Sequence, residues 1–479
     1  MLTYDMDNRE GLSRYEYLYQ CIKKDILEGR LAADEKLPSK RALAEHLKLA
    51  VITVENAYQQ LLMEGYLYSQ ERKGFFVSPM IESVVTKPSH RAESKNSVEN
   101  IQKDMQKTAI GKGKKHWIAD FKNNYVNRNK FPYATWSKLM RRTLSINAPC
   151  LLEAVPFRGL RILREAIAAF LYQQRGMEVR PEQIVIGSGI EALYVQLFQM
   201  LANDTVYGME DPGYQKTAKL IAKNGYECNY IPIDEKGLSV EHLKKTDTSV
   251  VILAPSHQFP TGLVMPISRR RELQQWASQK KNRYIIEDDY DSEFRYTGKL
   301  IPTIFSRDEQ ERVIYMNSFY KSLSPAIRIC YMILPESLMR HYEKSMRCYS
   351  CSASTFEQYN LALFISEGYF ERHINRMKKY YRNQRNILVE AIRRSPLADI
   401  STIYELNAGT HFILCLNTEV SDKEIAKKAK EQGINVSFLS DYCNGTVENR
   451  EHLLILNYAD IEDIDLDVVL QILKEVISQ

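Results

Sequence analysis

Apolar residues recur at helical spacing through the first 80 positions. In SRYEYLYQCIKKDILEG they fall at Tyr15, Leu18, Tyr19, Ile22 and Ile26, and Gly29 ends the run. LPSKRALAEHLKL follows, with Ser39 placed to cap a short helix by accepting an orphan N–H of its first turn. AVITVENAYQQLLMEGYL repeats the helical pattern at Val54, Ala57, Leu61 and Leu62 and stops at Gly65. YLYSQERKGFFV then gives two short β-rich runs around Arg72, Lys73 and Gly74. Helix, short helix, helix and hairpin is the layout of a winged helix-turn-helix over 12–80. In that layout the second helix of the pair enters a DNA major groove and the hairpin tip touches the backbone.

The pattern changes twice more. Residues 81–116 are polar, lack periodicity and end in a Lys/Gly cluster, which reads as a linker. From 117 to 479, short apolar runs (QIVIGSG, SVVILAPS, RYIIEDD, ERVIYMNS) alternate with helical stretches. That rhythm predicts an α/β domain with a mainly parallel sheet, whose ligands lie beyond the carboxyl ends of the strands.

At 479 residues the chain is long enough for two or three domains. A net charge of +5 argues for no partner at this length. Residues 1–80 hold 11 Lys/Arg against 12 Asp/Glu, so DNA contact would rest on local positives: Lys40 and Arg41 at the short helix, Arg72 and Lys73 at the hairpin tip. Spacing alone leaves a small helical domain for protein contacts equally open. No apolar run approaches a membrane span, and MLTYDMDNRE lacks a signal-peptide pattern, so the expectation is a cytoplasmic protein. Eight scattered cysteines suit free thiols; Cys348 and Cys351 form a C-x-x-C with no second pair at zinc spacing, so no metal site is expected.

The strand ends carry the chemistry. Ser188 and Gly189 sit at a strand-to-helix turn, where free N–H groups favour a phosphate. Tyr214 follows a tight turn in EDPGYQK. Glu287, Asp288, Asp289, Tyr290 and Asp291 close one apolar run; Ser318, Lys321 and Arg328 follow another. Taken singly, these are ordinary turns, a charged loop or metal ligands, and a surface lysine. One ligand uses them all: pyridoxal 5′-phosphate (PLP), with a phosphate, a ring nitrogen that wants an acid, a flat ring, and an aldehyde that wants an amine.

Residues 117–479 resemble the fold-type I aminotransferases. EDDYDSEF precedes SFYKSLSPAIR with 33 residues from Asp288 to Lys321 (321 − 288), SHQFPTG (256–262) stands at their Asn-Pro-Thr-Gly turn, and GYFERHINRMKKYYRNQR (368–385) looks like a helix of one branch. The N-terminal ILEGRLAADEKLPSKRALAEHLKL and VENAYQQLLMEGYLYSQERKGFFV resemble the GntR winged helix. The whole chain is similar to the MocR/GabR family of bacterial transcription regulators. The resemblance implies that Lys321 forms the internal aldimine and that Asp288 keeps the pyridine nitrogen protonated. It implies Tyr290 at the ring hydroxyl, Tyr214 on the ring face, and Ser188, Gly189, Ile190, Ser318 and Arg328 at the phosphate. It also implies a domain-swapped, head-to-tail homodimer, a double-stranded DNA operator contacted by Ser39, Lys40, Arg41, Thr53, Asn56, Arg72 and Lys73, and an amine, amino acid or PLP as effector.

This sequence departs from the family at several positions. Tyr320 stands where serine is common, Cys330 where glycine is common, Phe259 replaces the turn's Asn, and Ala154 takes the place of a tyrosine that reaches the partner's phosphate. Weaker cofactor binding is expected. Lys216 and Arg450 are the effector-binding candidates. Lys216 replaces an arginine and cannot clamp a carboxylate bidentately, so γ-aminobutyrate is not carried over as effector. AVITV (50–54) lacks the usual cap and carries Val51 for an arginine, leaving Thr53, Glu55 and Asn56 as contacts and thymine methyls as targets. Three readings stand: a PLP-dependent regulator with at most slow transamination, an aminotransferase with an accessory DNA-binding head, and a relative that no longer binds cofactor. Phe259 and the intact head favour the first; Asp288, Tyr290, Lys321 and Arg328 argue against the third.

Overall fold

The computed structural model describes residues 2–6, 12–70, 73–79, 117–122, 126–146, 149–296, 301–404, 409–444 and 450–478. The linker 81–116 and Arg72 lie outside the described residues. The chain divides into two compact units, 1–114 and 115–479.

In the first unit, α1 (Arg14–Leu27) starts where the Glu16 carboxylate accepts both the N–H and the hydroxyl of Ser13. Its buried stripe is Leu18, Ile22 and Ile26. Helices α2 (Lys40–His46) and α3 (Val51–Met63) are joined by the short turn 47–50. The Ser39 hydroxyl accepts from the Ala42 N–H at 3.2 Å, as its position predicts. Val54, Ala57, Tyr58 and Leu61 point inward from α3, while Val51 and Ile52 stand 44% and 60% exposed. Strands β1 (Leu67–Gln70) and β2 (Gly74–Val77) form the antiparallel hairpin.

The second unit is built on an eight-stranded sheet. Its strands are β4 (Ile184–Ser188), β5 (Tyr207–Asp211), β6 (Cys228–Asp234), β7 (Gly237–Leu238), β8 (Val250–Leu253), β9 (Tyr284–Asp288), β10 (Val313–Ser318) and β11 (Ile329–Ile333), in the order β4-β11-β10-β9-β8-β5-β6-β7. All pairs from β10 to β6 are parallel; β11 runs against both of its neighbours, and β7 runs against β6. Each central strand is apolar on both faces because both are covered. Ile184 and Ile186 enter one core with Leu163, Ile167 and Phe364, while Val185 between them enters another with Leu193 and Leu197. A smaller antiparallel sheet follows from β12 (Ser401–Tyr404), β13 (His411–Leu416), β15 (Ser437–Phe438) and β16 (Leu453–Asn457). A short parallel pair joins β3 (Ala119–Asp120) to β14 (Ile434–Asn435). Among the described residues no helix is long and apolar enough to cross a membrane, no acid/Cys/His cluster could hold a metal, and all eight cysteines are free thiols.

Candidate functional site

The parallel strands point their carboxyl ends at one cavity of about 480 Å³. Asp288 arrives as the last residue of β9, in register with Met316 of β10, and Ser318 closes β10. The turn after Ser318 carries Lys321 and returns as antiparallel β11, preceded by Arg328 at φ +50°. β4 delivers Gly189 at φ +97°, a conformation other residues rarely adopt, and the helix Ile190–Met200 starts there. β5 delivers Gly213 and Tyr214 through the Asp211–Pro212 turn. Gly189, Ile190, Tyr214, Lys216, Asp288, Tyr290, Ser318, Lys321 and Arg328 all line the cavity.

Burial dominates the electrostatics of the cavity wall. Burial brings the Lys321 amine down to about 7, partly opposed by the charge of Asp291. Burial, with repulsion from Asp289 and Asp291, pushes Asp288 up to about 7. Glu210, also on the wall, is pushed up to about 8 by burial. The Tyr290 hydroxyl lies 3.1 Å from His257 Nδ1, which is 2.8 Å from Asp291 Oδ2. Phe259 packs edge-on against Tyr214, Tyr290, His411 and Tyr442 at centroid distances of 5.0 to 6.4 Å, so the residue at the Asn position has become the hub of an aromatic cluster.

Two sequence candidates stand differently from the rest. Ser188 is not among the lining residues; its N–H donates to Ser352 Oγ at 3.1 Å and its carbonyl accepts from Arg328 at 3.3 Å. Arg450 also lies outside the lining, because its guanidinium donates to the Asp211 carbonyl at 2.8 Å and so braces the turn before Tyr214. Lys216 reaches the cavity, paired with Glu191.

In the first unit, Arg41, Asn56 and Lys73 are exposed, Thr53 is half-buried at the start of α3, and Ser39 spends its hydroxyl on the cap. Lys40 forms an ion pair with Glu55 that ties α2 to α3.

Residues 14–77 match the model of bacterial regulatory proteins of the gntR family, and residues 123–470 match that of aminotransferase class I and II. The HTH-type transcriptional regulators YdeL and YhdI of Bacillus subtilis (strain 168) are 37% and 33% identical. YdeL aligns over 88% of this chain and 88% of its own, YhdI over 99% and 97%. The probable rhizopine catabolism regulatory protein MocR of Rhizobium meliloti is 32% identical over 92% of this chain and 89% of its own. This chain belongs to the MocR/GabR family of bacterial transcription regulators. Its second unit has the fold of an archaeal alanine:glyoxylate aminotransferase (TM-score 0.67, 22% identity, 79% of this chain and 94% of that one). It likewise matches the kynurenine aminotransferase of Pyrococcus horikoshii (TM-score 0.66, 20% identity, 83% and 96%).

Within this MocR/GabR member, Glu191, Glu210, Lys122 and Asn457 line the cavity although the sequence reading did not single them out. Glu191 sits in the first turn of a helix, where an acid is ordinary. Lys122 and Asn457 come from elements remote along the chain, and no local signal brings them to Lys321. Glu210 is the last residue but one of β5, close to a strand end as Asp288 is, and that placement was the signal available. Cys330 occupies its position without strain: its thiol donates to the Gly187 carbonyl at 3.3 Å, filling space over a strand glycine.

Proposed function

We propose that this regulator binds PLP in the cavity between Lys321 and Asp288 and uses it to sense an amine, an amino acid or the supply of PLP itself, changing how its GntR-type heads engage DNA. The supporting observation is that an amine close to neutrality and an acid at a strand end face the same cavity, with Gly189 and Arg328 on its rim. When bound, the cofactor supplies an aldehyde for an amine and a pyridinium ring that withdraws electrons. Lys321 needs little free energy to become the neutral nucleophile, because burial has removed most of its preference for the proton. Asp288, pushed up by burial and then by neighbouring carboxylates, gains a cationic partner from a ring nitrogen and is then held ionised. Tyr290, held at His257, offers its hydroxyl to the ring oxygen; Tyr214 lies against the ring face. The open backbone at Gly189 and Ile190, with Ser318 and Arg328, takes the phosphate; Ser188 acts at one remove, its carbonyl accepting from Arg328.

Phe259 donates no hydrogen bond to the ring, which suits sensing with at most slow transamination. The head contacts an operator through Arg41, Asn56, Thr53 and Lys73, with Arg72 also assigned there. Working on DNA places the protein in the cytoplasm. A head-to-tail homodimer is part of the same proposal, supported by the apolar side chains that the body leaves open: Ile146 is 65% and Leu152 89% exposed.

Titration with PLP tests the reading. A visible-edge absorption band should grow in the wild type and be missing in Lys321→Ala, and amines should shift it. Absence of the band in the wild type rejects PLP binding. Rapid multiple turnover of an amino acid with a keto acid, together with no gel shift on the chain's own upstream DNA at low salt, would make the protein an enzyme instead.

A further inference from the structure

Glu191 lies where the phosphate of a bound cofactor would need its cations. The Lys216 ammonium donates to Glu191 Oε1, and Arg328 Nη2 is 3.3 Å from Oε2. Both side chains stand directly over Gly189: a Cβ there would meet the Arg328 guanidinium inside van der Waals contact and Glu191 Oε2 at 2.8 Å. An acid in the first turn of a helix ordinarily complements the helix's own positive end. This one also draws both cations of the rim toward itself. Burial alone would raise its carboxyl, but the bond from Lys216, its own backbone N–H and the charges of Lys216 and Arg328 hold it below the ordinary range.

We propose that Glu191 is a built-in counter-anion of the phosphate cup, occupying in the empty protein the two cations that a phosphate monoester must take, and thereby weakening binding of phosphorylated ligands. The proposal rests on the PLP reading of the same cavity. Two cations and one carboxylate leave the rim at a formal +1. An arriving phosphate dianion meets a like charge and has to displace it from Arg328 and Lys216. Affinity is then set by competition within the chain, so occupancy follows the concentration of phosphorylated aldehyde instead of saturating at a trace of it. The pyridine ring and the aldehyde make no such demand, and an unphosphorylated analogue should not feel Glu191.

Three ligands and two substitutions separate the outcomes. Glu191→Gln keeps the size and the hydrogen-bonding reach but removes the charge. PLP should bind about tenfold more tightly to Glu191→Gln than to the wild type, the scale of one partly screened unit charge at contact. Pyridoxal, which lacks the phosphate, should change by less than about twofold. An unchanged or weakened PLP affinity overturns the proposal, as does a parallel gain for both probes. Inorganic phosphate reads the cup without any aldehyde chemistry: it should raise the melting temperature of Glu191→Gln at lower concentration than that of the wild type. Equal phosphate response overturns the proposal even where the wild type forms no band with PLP, an outcome that by itself rejects only the PLP reading. If the glutamine variant folds poorly, Glu191→Ala should likewise tighten PLP and strengthen the phosphate response while leaving pyridoxal within about twofold.

Discussion

At the scale of residues, burial sets the behaviour of Lys321. An ordinary lysine keeps its proton to about 10.5, and here the folded protein releases it at about 7. Between those values the unfolded chain binds more protons, so stability contributed at this site rises with pH. The cost of burying the ammonium is whole below about pH 7 and fades toward pH 10.5. Lys321→Met should therefore stabilise the cofactor-free protein by about 2 kcal/mol at pH 6 and by much less at pH 9. Paired thermal melts at the two pH values check this, and an equal gain at both would contradict it. The His257–Asp291 pair makes the opposite case. Both side chains are buried, and removing the imidazole leaves a carboxylate and the Tyr290 hydroxyl without this partner. His257→Ala should cost about 2–4 kcal/mol by chemical denaturation and broaden the environment of any ring held at Tyr290. A neutral outcome would mean water replaces the imidazole there.

At the scale of elements, the two helices of the DNA-reading pair start differently. Ser39 caps α2 with its hydroxyl; α3 starts at Ala50, whose φ and ψ of −69° and 142° suit a cap but whose methyl offers no acceptor. Ala50→Ser should stabilise the first unit by about 0.5–1 kcal/mol, and Ser39→Ala should destabilise it by about 1 kcal/mol. Amide exchange of the first turns of α2 and α3 reads both changes. These starts were legible in the sequence because capping is local. The four apolar runs also announced β4, β8, β9 and β10, and their ends announced Asp288, Ser318 and Lys321. The reversal of β11 was not legible, since nothing in an apolar run states the direction of its neighbour. Nor was the small sheet, whose strand β13 pairs with β16 about forty residues later. Still longer separations in sequence hid Lys122 and Asn457, while Lys216 and Arg450 read alike as cations although hydrogen bonding sends only one of them to the cavity.

At the scale of the whole molecule, a head with 11 basic and 12 acidic side chains in residues 1–80 cannot hold DNA by bulk charge. Its grip has to come from a few placed cations and from α3, whose exposed Val51 and Ile52 offer methyl contacts instead of a guanidinium. Binding to the operator should lose affinity with salt by a log–log slope of only about −3 per head, and Arg41→Ala should reduce that slope by about 1. Titrating labelled operator at several salt concentrations measures it; a slope near −10 would point to a much larger basic surface than the described residues provide.

The turn between β10 and β11 ties two chemistries together. Lys321 sits at its start and Arg328 at its end, with the guanidinium held out by a left-handed backbone. Because β11 doubles back beside β10, one short length of chain presents to the cavity both the amine and the guanidinium to which the proposed function gives the aldehyde and the phosphate. On that proposal, strain that reaches this loop would tug on both ends of the ligand at once. The segment 319–328 would then act as a single lever, through which a chemical event at the proposed coenzyme would leave the pocket as a mechanical displacement.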